Sequence, residues 1–147
     1  GKIARREFVQ HPGAVIIIPL LDENTVILER QFRYAVGRHM LELPAGKIEP
    51  GEEPLATARR ELIEECGYTA GSWQHLATLH PCVGYSDERF ELYLARDLVS
   101  VGRALDEGEF LDVVPMALDE VRASIKAGRI TDVKVVAGLA WLDWVKD

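Results

Sequence analysis

Residues 14–21 read AVIIIPLL, an apolar run without a polar face. Continuous burial of this kind over strand length predicts a central strand covered on both sides. Asp22, Glu23 and Asn24 supply a turn, and residues 25–30 (TVILER) form a second strand, so the two read as a hairpin. Residues 31–34 extend that strand, residues 35–38 form a glycine-containing connection, and residues 40–43 form a short strand. Upstream, residues 2–9 are polar with sparse apolar positions and read as an edge strand or arm. Downstream, residues 73–80 and 89–96 are strands joined by a loop over 81–88. A polar surface loop follows over 99–109, then a last strand over 110–116. Leu118, Val121 and Ile125 mark a helix over 118–127 that stops at Gly128. Thr131 or Asp132 caps a final helix to about residue 145, with Val135, Leu139 and Leu142 on one face. Strands around one helix, with two helices after them, predict an α/β fold with a mixed sheet between helical layers.

The pattern changes to a helical period over residues 54–66. Pro54 suits a first helical turn and Gly67 ends one. Leu55, Ala58, Leu62 and Cys66 form an apolar stripe, and Glu61, Glu64 and Glu65 share the adjoining sector of about 100°. Carboxylates so close repel one another at neutral pH unless a cation lies among them. Two readings answer this. A hard divalent cation takes carboxylate, water and phosphate oxygens, which points to a phosphate ester or anhydride substrate. Alternatively the face is solvated and neutralised by Arg59 and Arg60 through neighbours such as Arg60 and Glu64.

The flanking residues carry a more specific signal. Gly46, five residues, Glu52, seven residues, Arg60-Glu61-Leu62, one residue, Glu64-Glu65, one residue and Gly67 resemble the Nudix box of the Nudix hydrolases. Tyr68 departs from the aliphatic residue usual at the end of the box. The resemblance implies a Nudix fold, an α/β/α sandwich that cleaves pyrophosphate bonds with Mg2+, or Mn2+ as a substitute. It implies metal binding by Glu61, Glu64 and Glu65, with Arg60 and Glu64 in the catalytic set. Arg60 and Glu52 would also orient loop and helix by ion pairing. Ahead of the box, Arg30-Gln31-Phe32-Arg33 and Glu42-Leu43-Pro44-Ala45-Gly46 are similar to the ADP-ribose pyrophosphatase branch. From that similarity the Ala45 carbonyl is a further metal ligand, Arg33 contacts a phosphate, and Glu42 faces the substrate's ribose or phosphate region. The branch takes its base from a loop outside the box, which falls here on residues 105–110, with Glu107 as the base and Glu109 in reserve. In the 84–88 loop, Tyr85 stacks on a nucleobase or packs locally, and Glu88 assists a metal. Each assignment has a plainer counterpart: an exposed strand arginine, an edge-strand acid, ordinary loop acids.

The substrate implied is a nucleoside diphosphate linked to another group, with ADP-ribose leading and AMP and ribose 5-phosphate as products. Another nucleoside diphosphate sugar is the runner-up. A nucleotide sensor without catalysis is a third reading, against which the intact Glu61, Glu64 and Glu65 argue. Family resemblance and the apolar C-terminal helix, with Trp141 and Trp144, together imply a homodimer.

Whole-chain properties narrow the setting. The chain has 147 residues, 48% of them hydrophobic, which is one domain's worth and enough for a core. A formal charge of −7 gives no basic surplus for nucleic acid or an anionic membrane. No apolar run is long enough to span a membrane, and no signal-like segment opens the chain. Cys66 and Cys82 have no ligand spacing and read as free thiols of a cytoplasmic protein. Histidines 11, 39, 75 and 80 share no ligand spacing either. The chain begins at Gly1, not Met, which leaves room for residues upstream.

Overall fold

The computed structural model describes residues 3–103 and 110–146. In chain order these form β1 (Ala14–Pro19), β2 (Thr25–Arg33), β3 (Arg38–Glu42), β4 (Ala45–Lys47) and α1 (Pro54–Glu61). One π turn (Leu62–Cys66) continues α1. Then come β5 (Tyr68–Leu79), β6 (Phe90–Ser100), β7 (Leu111–Ala117), α2 (Leu118–Lys126) and α3 (Val133–Lys146).

The strands make two sheets, one in the order β4-β1-β6-β5 and one in the order β3-β2-β7. β1 runs parallel to β6 and antiparallel to β4, so the first sheet is mixed. The second is antiparallel throughout. Side chains alternate between two cores with the period of a strand. Ile16 and Ile18 of β1, Val26 and Leu28 of β2, and Leu92 and Leu94 of β6 pack with Leu118, Val121, Val135, Leu139 and Leu142 of α2 and α3. Val15, Ile17, Ile27, Tyr93 and Ala95 turn the other way, onto Ala58, Leu62 and Cys66 of the box helix. Every residue of β1 is therefore buried, as its unbroken apolar run predicts. Helices on both sides of the strands bear out the α/β class with strands between helical layers.

Two expectations are corrected. β1 and β2 do not form a hairpin: only the isolated bridge Leu20↔Val26 joins them, and they belong to different sheets. Both edges of β1 are already occupied, by β4 and β6, so β2 turns away to pair with β3 and β7. The long β5–β6 ladder also starts earlier and ends later than the apolar pattern suggests, from Tyr68↔Ser100 to Leu79↔Phe90. Backbone pairing carries it through the weakly patterned residues around Gly71. Among described residues 3–9, pairing is limited to the bridge Val9↔Ser86, so this segment is an arm and not an edge strand.

Candidate active site

The box helix begins without a side-chain cap at Glu53, relying on Pro54 at its first turn. It ends where Gly67 takes φ 77°, a left-handed conformation that lets its N–H reach the Ile63 carbonyl. Between them the last turn widens to π hydrogen bonding, a distortion frequent at functional sites. The wider turn keeps Leu62 and Cys66 in the core and buries Glu65 beside them.

Two helix carboxylates converge on β4. Glu65 Oε2 accepts the Ala45 N–H at 3.2 Å. Glu61 lies directly over Gly46, where a Cβ would fall on its carboxylate. The glycine is needed here for space, since its φ is not in the left-handed region. Arg60 binds the remaining acids: Nε and Nη2 donate to Glu52 at 3.1 and 3.2 Å, and Nη1 is shared by Glu61 at 2.8 Å and Glu64 at 2.9 Å. The guanidinium beside Glu52 holds that carboxyl down to about 2. A depressed folded-state value means that the stabilisation is present above the ordinary glutamate range and is lost as pH falls from there toward 2. Glu52→Gln is accordingly expected to lower Tm by about 2 °C at pH 7, a small effect because the pair is partly exposed. Differential scanning calorimetry should show the gap from wild type closing between pH 4.5 and 2; a gap constant over that range would contradict the assignment.

A second network joins β2, β3 and the start of α3. Arg33 and Glu42 form a two-pronged pair, Nε to Oε1 at 2.6 Å and Nη2 to Oε2 at 2.8 Å. Lys134, from the first turn of α3, donates to the same Oε2 at 2.8 Å and to Asp132 Oδ1 at 3.1 Å. Burial pushes the Glu42 carboxyl up, but the hydrogen bonds from Arg33 and Lys134 outweigh it and leave it below its ordinary value. Glu29 stands in register with Glu42 across β2 and β3, is buried, and accepts the Cys66 S–H at 3.1 Å. Burial, reinforced by Glu29, pushes the Cys66 thiol far up, so Cys66 is an inert core residue.

The 81–88 loop is pinned by the N-terminal arm. Val9 N–H donates to the Tyr85 carbonyl, His11 N–H to Asp87 Oδ1, and Ser86 Oγ to the Val9 carbonyl. Glu88 lies 3.6 Å from His11 Nε2, and the exposed Tyr85 donates its hydroxyl to Cys82 Sγ. Glu107 and Glu109 lie outside the described residues. Lys134 and Asp132 escape sequence reading as site residues. Asp132 has the type of a helix cap, and nothing in spacing links Lys134 to a strand acid far upstream.

The donor set suits a hard divalent cation: carboxylate oxygens from one helix, aimed at a backbone strand that offers carbonyls. Among the described residues no three acidic, histidine or cysteine side chains are gathered tightly enough to hold an ion as they stand. Arg60 Nη1 occupies the position between Glu61 and Glu64. Bringing Glu64 onto a cation with Glu61 and Glu65 therefore requires it to release the arginine. Because Glu52 holds the other prong, Arg60 stays attached to the loop when it does.

A NUDIX domain profile matches residues 10–139. The chain is 40% identical to the methanol dehydrogenase activator of Bacillus methanolicus over 97% of its own length and 78% of that protein's. It is 38% identical to the ADP-ribose pyrophosphatase of Bacillus subtilis (strain 168), with the same coverage. Among solved structures, an ADP compounds hydrolase superimposes with a TM-score of 0.81 at 27% identity, covering 91% of this chain and 72% of that one.

Proposed function

The chain belongs to the NUDIX family of pyrophosphohydrolases, and from that premise we propose that it hydrolyses ADP-ribose to AMP and ribose 5-phosphate with a divalent cation, Mg2+ or in its place Mn2+. The observation that carries the reading is the meeting of Glu61 and Glu65 on the Ala45–Gly46 strand.

Glu61, Glu64 and Glu65, with the Ala45 carbonyl, are the groups that would hold the metal. Bound there, it would neutralise the diphosphate and lower the pKa of a water. Arg33 supplies a planar cation suited to a phosphate oxygen. Arg60 restrains the loop through Glu52 and pairs with Glu61 and Glu64 of the box. Glu107, with Glu109 in reserve, is the proposed base, and Tyr85 and Glu88 belong to the substrate side. The protein is proposed to act as a homodimer in the cytoplasm, without nucleic acid or membrane partners. Among the described residues no helix is long and apolar enough to cross a membrane.

A substrate panel tests the reading: ADP-ribose, GDP-mannose, UDP-glucose, NADH and diadenosine polyphosphates with Mg2+, read as phosphate released by alkaline phosphatase from the products. ADP-ribose should be turned over fastest, and excess chelator should remove the activity. Chelator-resistant turnover, or preference for another member of the panel, would count against it.

A further inference from the structure

Glu42 has both carboxylate oxygens committed to protein donors, two from Arg33 and one from Lys134, and is 4% exposed. A carboxylate held this way serves the cations around it more than a ligand. Arg33 is placed differently. Its side chain is 46% exposed, and the prongs on Glu42 are Nε and Nη2, while Nη1 has no hydrogen-bond partner among the described residues. One edge of the guanidinium is fixed and the other is open, a geometry suited to a phosphate oxygen. Through Glu42, Arg33 on β2 is joined to Lys134 at the start of α3.

Lys134 is the second cation on Glu42, and its ammonium is divided between Glu42 and Asp132. Arg33 and Lys134 balance Glu42 and Asp132 in charge. The Asp132 Oδ2 oxygen is buried without a partner among the described residues, so this corner has no spare donor to replace a lost ammonium. With Lys134 neutralised, Asp132 would lose its ion pair and Glu42 would be left with Arg33 as its one cation among the described residues. Glu42 would lose its second anchor, and Arg33 would be drawn inward to compensate.

We propose that Lys134 is a positioning residue, acting through Glu42 to hold the open edge of Arg33 toward the diphosphate of the substrate. The inference rests on the pyrophosphatase reading above, and its test separates the two. KM and kcat are measured for wild type, Lys134→Met, Arg33→Ala and the double variant, using ADP-ribose or whichever member of the panel the wild type turns over fastest. Lys134→Met should raise KM about tenfold, the scale of one charge-assisted hydrogen bond within a coupled network. Its kcat should change much less. In the Arg33→Ala background the same substitution should add nothing to KM, because the group it positions is gone. Lys134→Gln, which keeps an N–H for Glu42, goes through the same cycle if the methionine variant does not fold. Equal KM increases in both backgrounds, or a loss confined to kcat or Tm, would overturn the positioning role and leave the pyrophosphatase reading intact. A wild type inert toward the whole panel would overturn both.

Discussion

Glu65→Gln is expected to lower kcat for ADP-ribose by about 10²- to 10³-fold while shifting Tm by no more than about 3 °C. Glu65 is almost fully buried under the π turn and accepts the Ala45 N–H, so it is held at the junction of helix and strand. Glutamine has the same shape and keeps an oxygen for that N–H. What it removes is the negative charge at the point where Glu61 also arrives. If the carboxylates exist to fix a cation against a diphosphate, losing one charge should damage the transition state far more than the fold. Glu52→Gln is the internal control, since Glu52 touches Arg60 and has no place in the ligand set. Its kcat should stay within a few-fold of wild type. A Glu65→Gln protein with near-normal kcat would mean that the acid is there for packing.

Gly46→Ala should cost about 10²-fold in kcat/KM, the penalty of displacing a catalytic group by about 1 Å. It should also lower Tm by several degrees, as overpacking does at about 1–3 kcal/mol. The added methyl would occupy the space of the Glu61 carboxylate, so either that side chain swings off β4 or β4 moves from β1, with which Gly46 pairs at Val15. Adding Glu61→Ala to Gly46→Ala discriminates between a local clash and a general need for glycine. The double variant should regain most of the lost Tm, because the clash is gone, yet remain inactive. Failure to regain stability would show that the glycine serves the backbone and not the glutamate.

The sequence made the site's first layer legible and its supports less so. Residues 46–68 spell out the box, and the helical period places Glu61, Glu64 and Glu65 on one side because 3.6-residue winding is a local property. The π turn was invisible, since no residue type encodes it. The unbroken apolar run of residues 14–21 marks β1 as fully buried, but not its partners. Whether β1 pairs with β2 or with β4 and β6 depends on which edges other strands have taken, which is settled by the whole chain. Arg33 and Glu42 were singled out by similarity and prove to bind each other. Lys134 reaches them from a helix far along the chain, and one charged residue in an apolar helix carries no signal of where its ammonium ends.

Capture of a cation by the box carboxylates is tested without turnover by Mn2+ binding followed by electron paramagnetic resonance. Wild type, Glu65→Gln and Glu52→Gln would be titrated with Mn2+ alongside a non-hydrolysable methylene analogue of ADP-ribose. Saturable binding by wild type and Glu52→Gln, weakened at least tenfold in Glu65→Gln, is the predicted result. Equal affinity in all three proteins would contradict it.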